Sequence, residues 1–264
     1  MRDPVTSSSN QIIKLIRKVH DRKKGDELVY IEGLRIVEDC LQSGGVCVYL
    51  ICSARKAGIA EELADKYNIP ESSVIVIEDR LFDKTASTVN SQGIAMIVKS
   101  PDLCNVLVGS GEKDIYCVLD NVQDPGNVGT IIRMADAFAF TAVIITGGTC
   151  DPFGEKALRA SMGSTWHIPV ITFSKEAELI DALADMGVTS LGMHLKGDSL
   201  DEADLVLPCA FFIGNEGRGL EEEISSRLTQ LIKIPMPGKA ESLNAASAAS
   251  VIGNELRKAR DLTL

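Results

Sequence analysis

The sequence predicts an α/β protein in two parts, a small α/β layer domain followed by a larger domain built on a parallel sheet. Three observations carry this. Short β-branched runs alternate with helix-like segments along the chain. The alternation breaks near Lys99, where "SPDLCNVLVGSGEKD" mixes Pro, Ser, Gly and charge in the manner of a linker. Beyond that break the strands read as continuous apolar runs, the pattern of a parallel sheet covered on both faces. The expected domains are residues 1–104 and 110–264, with the boundary between about Ser100 and Asp114.

From Ser7 to Lys24 the apolar positions Ile12, Leu15, Ile16 and Val19 recur at helical spacing, and Ser7 to Ser9 offer a cap. Lys14, Arg17, Lys18, Arg22, Lys23 and Lys24 crowd this helix against one acid, Asp21, in a chain whose net charge is −10. Such a run is either a solvated face or an electrostatic footprint for a polyanion. "ELVYIEG", "VCVYLIC", "SSVIVIED" and "GIAMIVK" follow as strands, with helices over Leu34 to Gln42, Ala57 to Tyr67 and Asp79 to Ala86.

After the linker, "IYCVLD" is a buried strand, "PGNVGTIIRMADAFA" a helix and "TAVIIT" the next strand. Further strands are expected at His167 to Val170, Val188 to Gly192, Leu205 to Leu207, Phe211 to Gly214 and Leu231 to Ile234. The last helix comes from "IPMPGKAESLNAASAASVIGNELRKAR" and opens on Ala, Ser and Asn. Small side chains stabilise little by burial, since the gain follows apolar area at roughly 25 cal/mol per Å². Their use is close approach, of backbone to backbone or of backbone to ligand.

Composition narrows the function classes. No apolar run in the 264 residues reaches membrane-spanning length, and "MRDPVTSSSN" lacks the charged-then-apolar pattern of a secretory signal, so a cytoplasmic protein is expected. Seven cysteines, odd in number and never spaced Cys-x-x-Cys, predict reduced and mostly buried thiols. His20, His167 and His194 stand far apart without ligand spacing, so no metal is expected. Dinucleotide and P-loop fingerprints are both missing.

A doubly covered parallel sheet gathers its chemistry outside the carboxyl ends of its strands. Three segments fall there. In "LDNVQDPGNVGTIIRMADAF", Asp120 and Asn121 end a strand, Pro125 and Gly126 open a helix, and Arg133 lies about two turns in. "FFIGNEGRGL" places three glycines around Asn215 and Glu216, and "IPMPGKAESLN" precedes the last helix. Each is weak alone. In this order, together with "KALRASMGSTWHIPV" between the first two, they resemble the SpoU-type RNA ribose 2′-O-methyltransferases of the SPOUT class. "KLIRKVHDRKKGDELVYIEGLRIVEDCLQSG" is similar to the ribosomal-protein-like RNA-binding module of many such enzymes.

That resemblance implies a C-terminal domain tied in a deep trefoil knot, S-adenosylmethionine as methyl donor and an active site shared across a homodimer. It implies cofactor contacts from Thr146, Gly147, Gly214, Asn215, Glu216, Ile234, Met236, Ser242, Leu243 and Asn244. It implies a substrate RNA, expected to be ribosomal with tRNA as the alternative, held by Lys14, Arg17, Lys18, Arg22, Lys23, Glu32, Gly33, Arg35 and Arg159. For chemistry it points to Arg133, whose guanidinium is a poor base and better suited to clamp a phosphate and stabilise a developing alkoxide. Asn127 is placed to orient Arg133 or touch the ribose, Glu216 to fix Arg133 or the RNA, and Ser242 and Asn244 to reach the 2′-hydroxyl. Ser161 is a further candidate near the substrate. Two other classes stand beside this reading: an RNA-binding protein that keeps the fold without turnover, and a small-molecule enzyme using a nucleotide in the sheet crevice.

Overall fold

The computed structural model describes residues 3–87, 91–101, 107–109 and 111–262. The chain forms two compact units, residues 1–102 with 153–158, and residues 103–152 with 159–264.

In the first unit, α1 (Gln11–His20) buries Ile12, Ile13, Ile16 and Val19 and turns Lys14, Arg17 and Lys18 to solvent. Its cap is Asn10, whose side-chain oxygen accepts the Ile12 N–H at 2.9 Å, rather than the serines before it. The helix stops at His20, short of Lys24, because Asp26 closes a turn onto the Lys23 N–H (2.7 Å) and Arg22 donates to the Asp26 carbonyl (2.9 Å). The elements β1 (Leu28–Glu32), α2 (Leu34–Gln42), β2 (Cys47–Ser53), α3 (Ala57–Tyr67), β3 (Val74–Ile77), α4 (Asp79–Thr85) and β4 (Ile94–Lys99) follow. The sheet order is β1-β4-β2-β3, with β4 antiparallel to both neighbours and β2 parallel to β3. Gly33 joins β1 to α2 at φ 110°, a conformation that needs glycine.

The second unit carries β5 (Ile115–Asp120), α5 (Pro125–Ala137), β6 (Ala142–Thr146), β7 (Val170–Thr172), α7 (Glu176–Asp185), β8 (Thr189–Ser199), β9 (Cys209–Ile213), α8 (Glu222–Ser225), β10 (Gln230–Lys233) and α9 (Ala245–Leu262). Helix α6 (Glu155–Ser161) lies between β6 and β7 in the chain. All six strands run parallel in the order β10-β8-β9-β5-β6-β7. Strand β5 is buried along its whole length: Ile115, Cys117 and Leu119 pack towards α5 and α9, and Tyr116 and Val118 towards α7.

Two expected strands differ. Val170–Thr172 pairs with β6, whereas His167 closes a 3₁₀ turn (Ser164–Trp166). Leu205 to Leu207 forms no strand: it runs into Pro208, which has no N–H for a ladder, and Leu205 and Leu207 meet the core while Val206 stays 49% exposed. Strand β8 continues past Gly192 to Ser199, since Asp198 and Ser199 pair with Ile232 and Lys233 on β10 although their side chains show no apolar run.

The small residues of α9 let it lie on α5 within one chain. Ala246, Ala249, Ile252 and Leu256 are buried there, and a Cβ on Gly253 would stand 2.6 Å from the Met134 sulfur. Arg260 then donates to the Ala139 (2.7 Å) and Phe138 (2.9 Å) carbonyls at the end of α5, where a cation complements the helix dipole. Of the cysteines, Cys104 lies outside the described residues; Cys40, Cys52, Cys117 and Cys209 are buried, Cys47 and Cys150 are half-buried, and these six form no disulfide. Burial pushes Cys40 and Cys209 up to about 12, so they stay protonated and unreactive at neutral pH.

Candidate active site

From β5 the chain winds outward to β6 and β7 and then returns to the other side of β5, so β5 and β9 are neighbours where the winding reverses. The crevice outside their carboxyl ends is where an open α/β sheet takes its ligand. Asp120 ends β5 and Asn121 turns the chain at φ 56°. The Asp124 carboxylate caps α5 by accepting the Asn127 N–H at 2.9 Å, with Pro125 in the first turn. Across the crevice, Asn215 and Gly219 exchange main-chain hydrogen bonds of 3.0 and 2.8 Å. The Asn215 side chain accepts from the Gly217 and Arg218 N–H groups and donates to the Asn121 carbonyl at 3.0 Å. Gly214 is required by this turn: a Cβ there would sit 2.3 Å from the Gly219 carbonyl carbon. Gly214→Ala is therefore expected to destabilise the fold by about 1–3 kcal/mol as an overpacked site, read as a lowered Tm with the far-UV spectrum unchanged before melting.

Glu216 latches the two loops. Its Oε1 accepts from the Asp124 N–H (3.0 Å) and the Asn127 amide (3.0 Å), and its Oε2 from the Gln123 N–H (3.2 Å). The carboxylate fixes how Asn127 is turned. With its amide nitrogen on Glu216, Asn127 presents its oxygen to the Asn244 amide at 2.9 Å. Asn244 in turn gives its oxygen to the Ala246 (2.9 Å) and Ser247 (3.3 Å) N–H groups at the start of α9. One directional hydrogen-bond chain thus joins the three segments that the sequence placed at strand ends.

Burial pushes the Glu216 carboxyl up, but bonds from the Asp124 N–H, the Asn127 amide and the Gln123 N–H hold it below the ordinary value of 4.5. A carboxylate with a lowered folded-state pKa stabilises above its unfolded value and loses that contribution as pH falls through the folded one. The loop junction is thus expected to hold above about pH 4.5 and loosen below it, read as a Tm that falls more steeply with acid in the wild type than in Glu216→Gln.

The remaining candidates distribute unevenly. The strand order sets β8 between β9 and β10, but residues 193–197 fall in a register shift between the Gly192 and Asp198 rungs on β10. The apolar run of β8 ends at Gly192, and nothing beyond it carries a motif. Thr146 and Gly147, by contrast, lie two strands from β9, about 10 Å at the usual spacing. The Thr146 hydroxyl is buried and donates to the Asp120 carboxylate at 2.7 Å. Burial raises the Asp120 pKa, while the Thr146 bond works against that rise.

Ile234 and Met236 are half-buried, while Ser242, Asn244 and Leu243 are exposed, Leu243 at 41%. Arg133 shares the exposed face of α5 with Thr130 and Ala137, and among the described residues it makes no hydrogen bond or ion pair. The expectation that Asn127 or Glu216 holds Arg133 is not met within the chain; their polar atoms are taken by each other, by Asn244 and by the main chain.

In the first unit, Glu32 accepts from the Ser87 N–H (2.6 Å) and hydroxyl (2.9 Å), an anchoring arrangement rather than a free contact. Arg35 is exposed and Gly33 is the cap position of α2. Arg159 is exposed and Ser161 is buried, accepting the Thr165 hydroxyl at 2.7 Å. Among the described residues, no group of His, Cys, Asp or Glu is arranged to hold a metal ion.

Residues 114–254, more than half of the chain, match the family model described as the SpoU rRNA Methylase family. The chain belongs to that family. Residues 10–96 of this SpoU methylase match a second model, described as an MRM3-like substrate binding domain. The SpoU chain is 31% identical over 261 residues to the 23S rRNA (guanosine(2553)-2′-O)-methyltransferase RlmP of Bacillus subtilis, covering 96% of this chain and 98% of that one. Among solved structures it is similar to an AdoMet-bound rRNA methyltransferase from Sinorhizobium meliloti, with TM-score 0.86, 30% identity and coverage of 97% and 98%. The SpoU methyltransferase AviRb from Streptomyces viridochromogenes, solved with AdoMet, shares the fold at TM-score 0.82 and 24% identity, covering 96% of this chain and all of that one.

Proposed function

We infer that the chain transfers a methyl group from S-adenosylmethionine to a ribose 2′-hydroxyl of ribosomal RNA. The observation that carries this is the Glu216, Asn127, Asn244 chain at the strand switch point, in a SpoU sequence that matches an rRNA methyltransferase over nearly its whole length. The residues fit the donor: Gly214 lets the 214–219 turn close tightly at the end of β9, and on the last loop Leu243 offers uncovered apolar surface while Ile234 and Met236 are half-buried. Ile234, Met236 and Leu243 would flank the adenine, and main-chain groups of the loop from 234 to 244, which has no regular structure, would bind its edge. Bound there, the donor supplies an electrophilic methyl on a sulfonium.

The chain's own residues supply placement, which accounts for on the order of 7–11 kcal/mol of a barrier when partners are well oriented. The Glu216 to Asn244 chain holds the last loop against α5. Ser242 and Asn244 present polar atoms to the 2′-hydroxyl, and Arg133 clamps the adjacent phosphate and stabilises the alkoxide as it forms. Exposed Arg133, which is not among the partners of Glu216, supports a homodimer in which each site takes this residue from the second copy. The loop before α9 is threaded through a trefoil knot, residues 110–264 carry the chemistry, and residues 1–104 hold the RNA in the cytoplasm. No described helix is long and apolar enough to cross a membrane.

Calorimetry on the full chain tests the donor. S-adenosylmethionine should bind without RNA, and absence of heat at millimolar donor would remove the assignment. The basic face of α1, with Lys23 in the turn after it, tests the other half. Replacing Lys14, Arg17, Lys18 and Lys23 by glutamine should weaken RNA binding and flatten its salt dependence by about 0.7 in log–log slope for each lost phosphate contact on single strands. Arg22 is left out because it is tied to the Asp26 carbonyl. Donor affinity should not move; unchanged RNA affinity would make α1 a solvated face only.

A further inference from the structure

The first unit carries a groove that neither the donor nor the RNA reading uses. It lies between α3 and the edge strand β3, encloses about 370 Å³, and has a floor of Ala64, Ile69, Val74 and Val76. Its rim carries Glu61, Asp65 and Glu71, all exposed, and no lysine or arginine lines it. Val74 and Val76 lie on the outermost strand of the sheet. On the outer edge of β3 the Val74 N–H is bonded to the Glu71 carbonyl, the Val5 N–H reaches the Val76 carbonyl (2.8 Å) and the Glu78 N–H reaches the Val5 carbonyl (3.0 Å), which leaves the Val74 carbonyl and the Val76 N–H beside the groove.

We propose that this groove docks a cationic extended segment of a protein partner, seated between α3 and β3. Charge selects the occupant. Three carboxylates around an apolar floor repel nucleic acid and suit lysine or arginine, whose methylene stems cover apolar surface while the charged heads reach the rim. The Val76 N–H and the Val74 carbonyl offer one main-chain rung to an extended chain, whose alternate side chains then fall on the floor and on the rim. A groove of this size takes three or four residues, so the contact is of the small, transient kind. The inference stands independently of the methyl-transfer reading.

The probe is an acetylated, amidated hexapeptide alternating valine with lysine or arginine, titrated into the full chain carrying labelled Ala, Ile and Val methyl groups. Saturable shifts are expected at Ala57, Ala64, Ile69, Val74 and Val76, with at least tenfold weaker binding to the double variant Glu61→Lys, Asp65→Lys. Both substituted positions are exposed on α3, so the fold should be kept, and the variant's unchanged methyl spectrum checks this. The same peptide with glutamate at the basic positions should leave these methyls unmoved, as should a short single-stranded RNA. Shifts scattered over the acidic surface, equal binding to wild type and variant, or a response of these methyls to RNA would each overturn the proposal.

Discussion

Glu216→Ala is expected to lower turnover by about 10² to 10³ in a chain that still folds, the loss typical of removing a preorganised polar contact at a reacting centre. The substitution frees the Gln123 and Asp124 N–H groups, which water can reach because Glu216 is exposed, so stability suffers little. Orientation suffers more. Without the carboxylate, Asn127 is free to rotate, and the bond that holds Asn244 is lost with it. Glu216→Gln should fall between, because one amide oxygen in the Oε1 position keeps two of the three donors and turns its NH₂ against the Gln123 N–H. The loss should fall on both turnover and donor affinity. Wild-type turnover in Glu216→Ala would mean that the loop junction is packing alone.

Arg133→Ala and Arg133→Lys are both expected to lose most methyl transfer, again by about 10² to 10³, while binding the donor normally. Lysine keeps the charge but not the planar fork, so it separates a bidentate clamp from simple attraction. If Arg133 works from the second copy, mixing two dead variants should restore activity. An equal mixture of Arg133→Ala and Glu216→Ala gives half mixed dimers, each with one intact site, hence about a quarter of wild-type activity. No recovery after verified subunit exchange would place Arg133 and Glu216 in the same chain's site. Near-full single-turnover activity in Arg133→Lys would remove the clamp altogether.

The sheet and its ligand edge were legible because buried parallel strands read as apolar runs and helices as a 3.6-residue repeat, patterns that β5, α5, β6 and β9 carry fully. What periodicity lacks is the pairing order. Thr146 looked equivalent to Gly214 as a strand end, yet β5 stands between their strands. The reverse error hid the end of β8: Asp198 and Ser199 are held by pairing with β10, so polar residues there are strand without an apolar signal. Glu216 and Asn127 were both named but their bond to each other was not, because a sequence shows which polar groups exist and not which already bond one another. The start of α1 was misplaced because Ser7, Ser9 and Asn10 are all good caps, and only the geometry selects Asn10. The small residues of α9 signalled close approach correctly; the structure gives α5 as one body approached.

The most direct test is to incubate the purified chain with methyl-deuterated S-adenosylmethionine and unmodified ribosomal RNA, then digest the RNA to nucleosides and weigh them. A single deuterated nucleoside is expected, heavier than its ordinary methylated form by the exchange of three hydrogens for deuterium, with the label staying on the sugar when the base is cleaved away. Label on a base, or none under conditions where the donor is bound and the RNA is intact, would contradict ribose methylation.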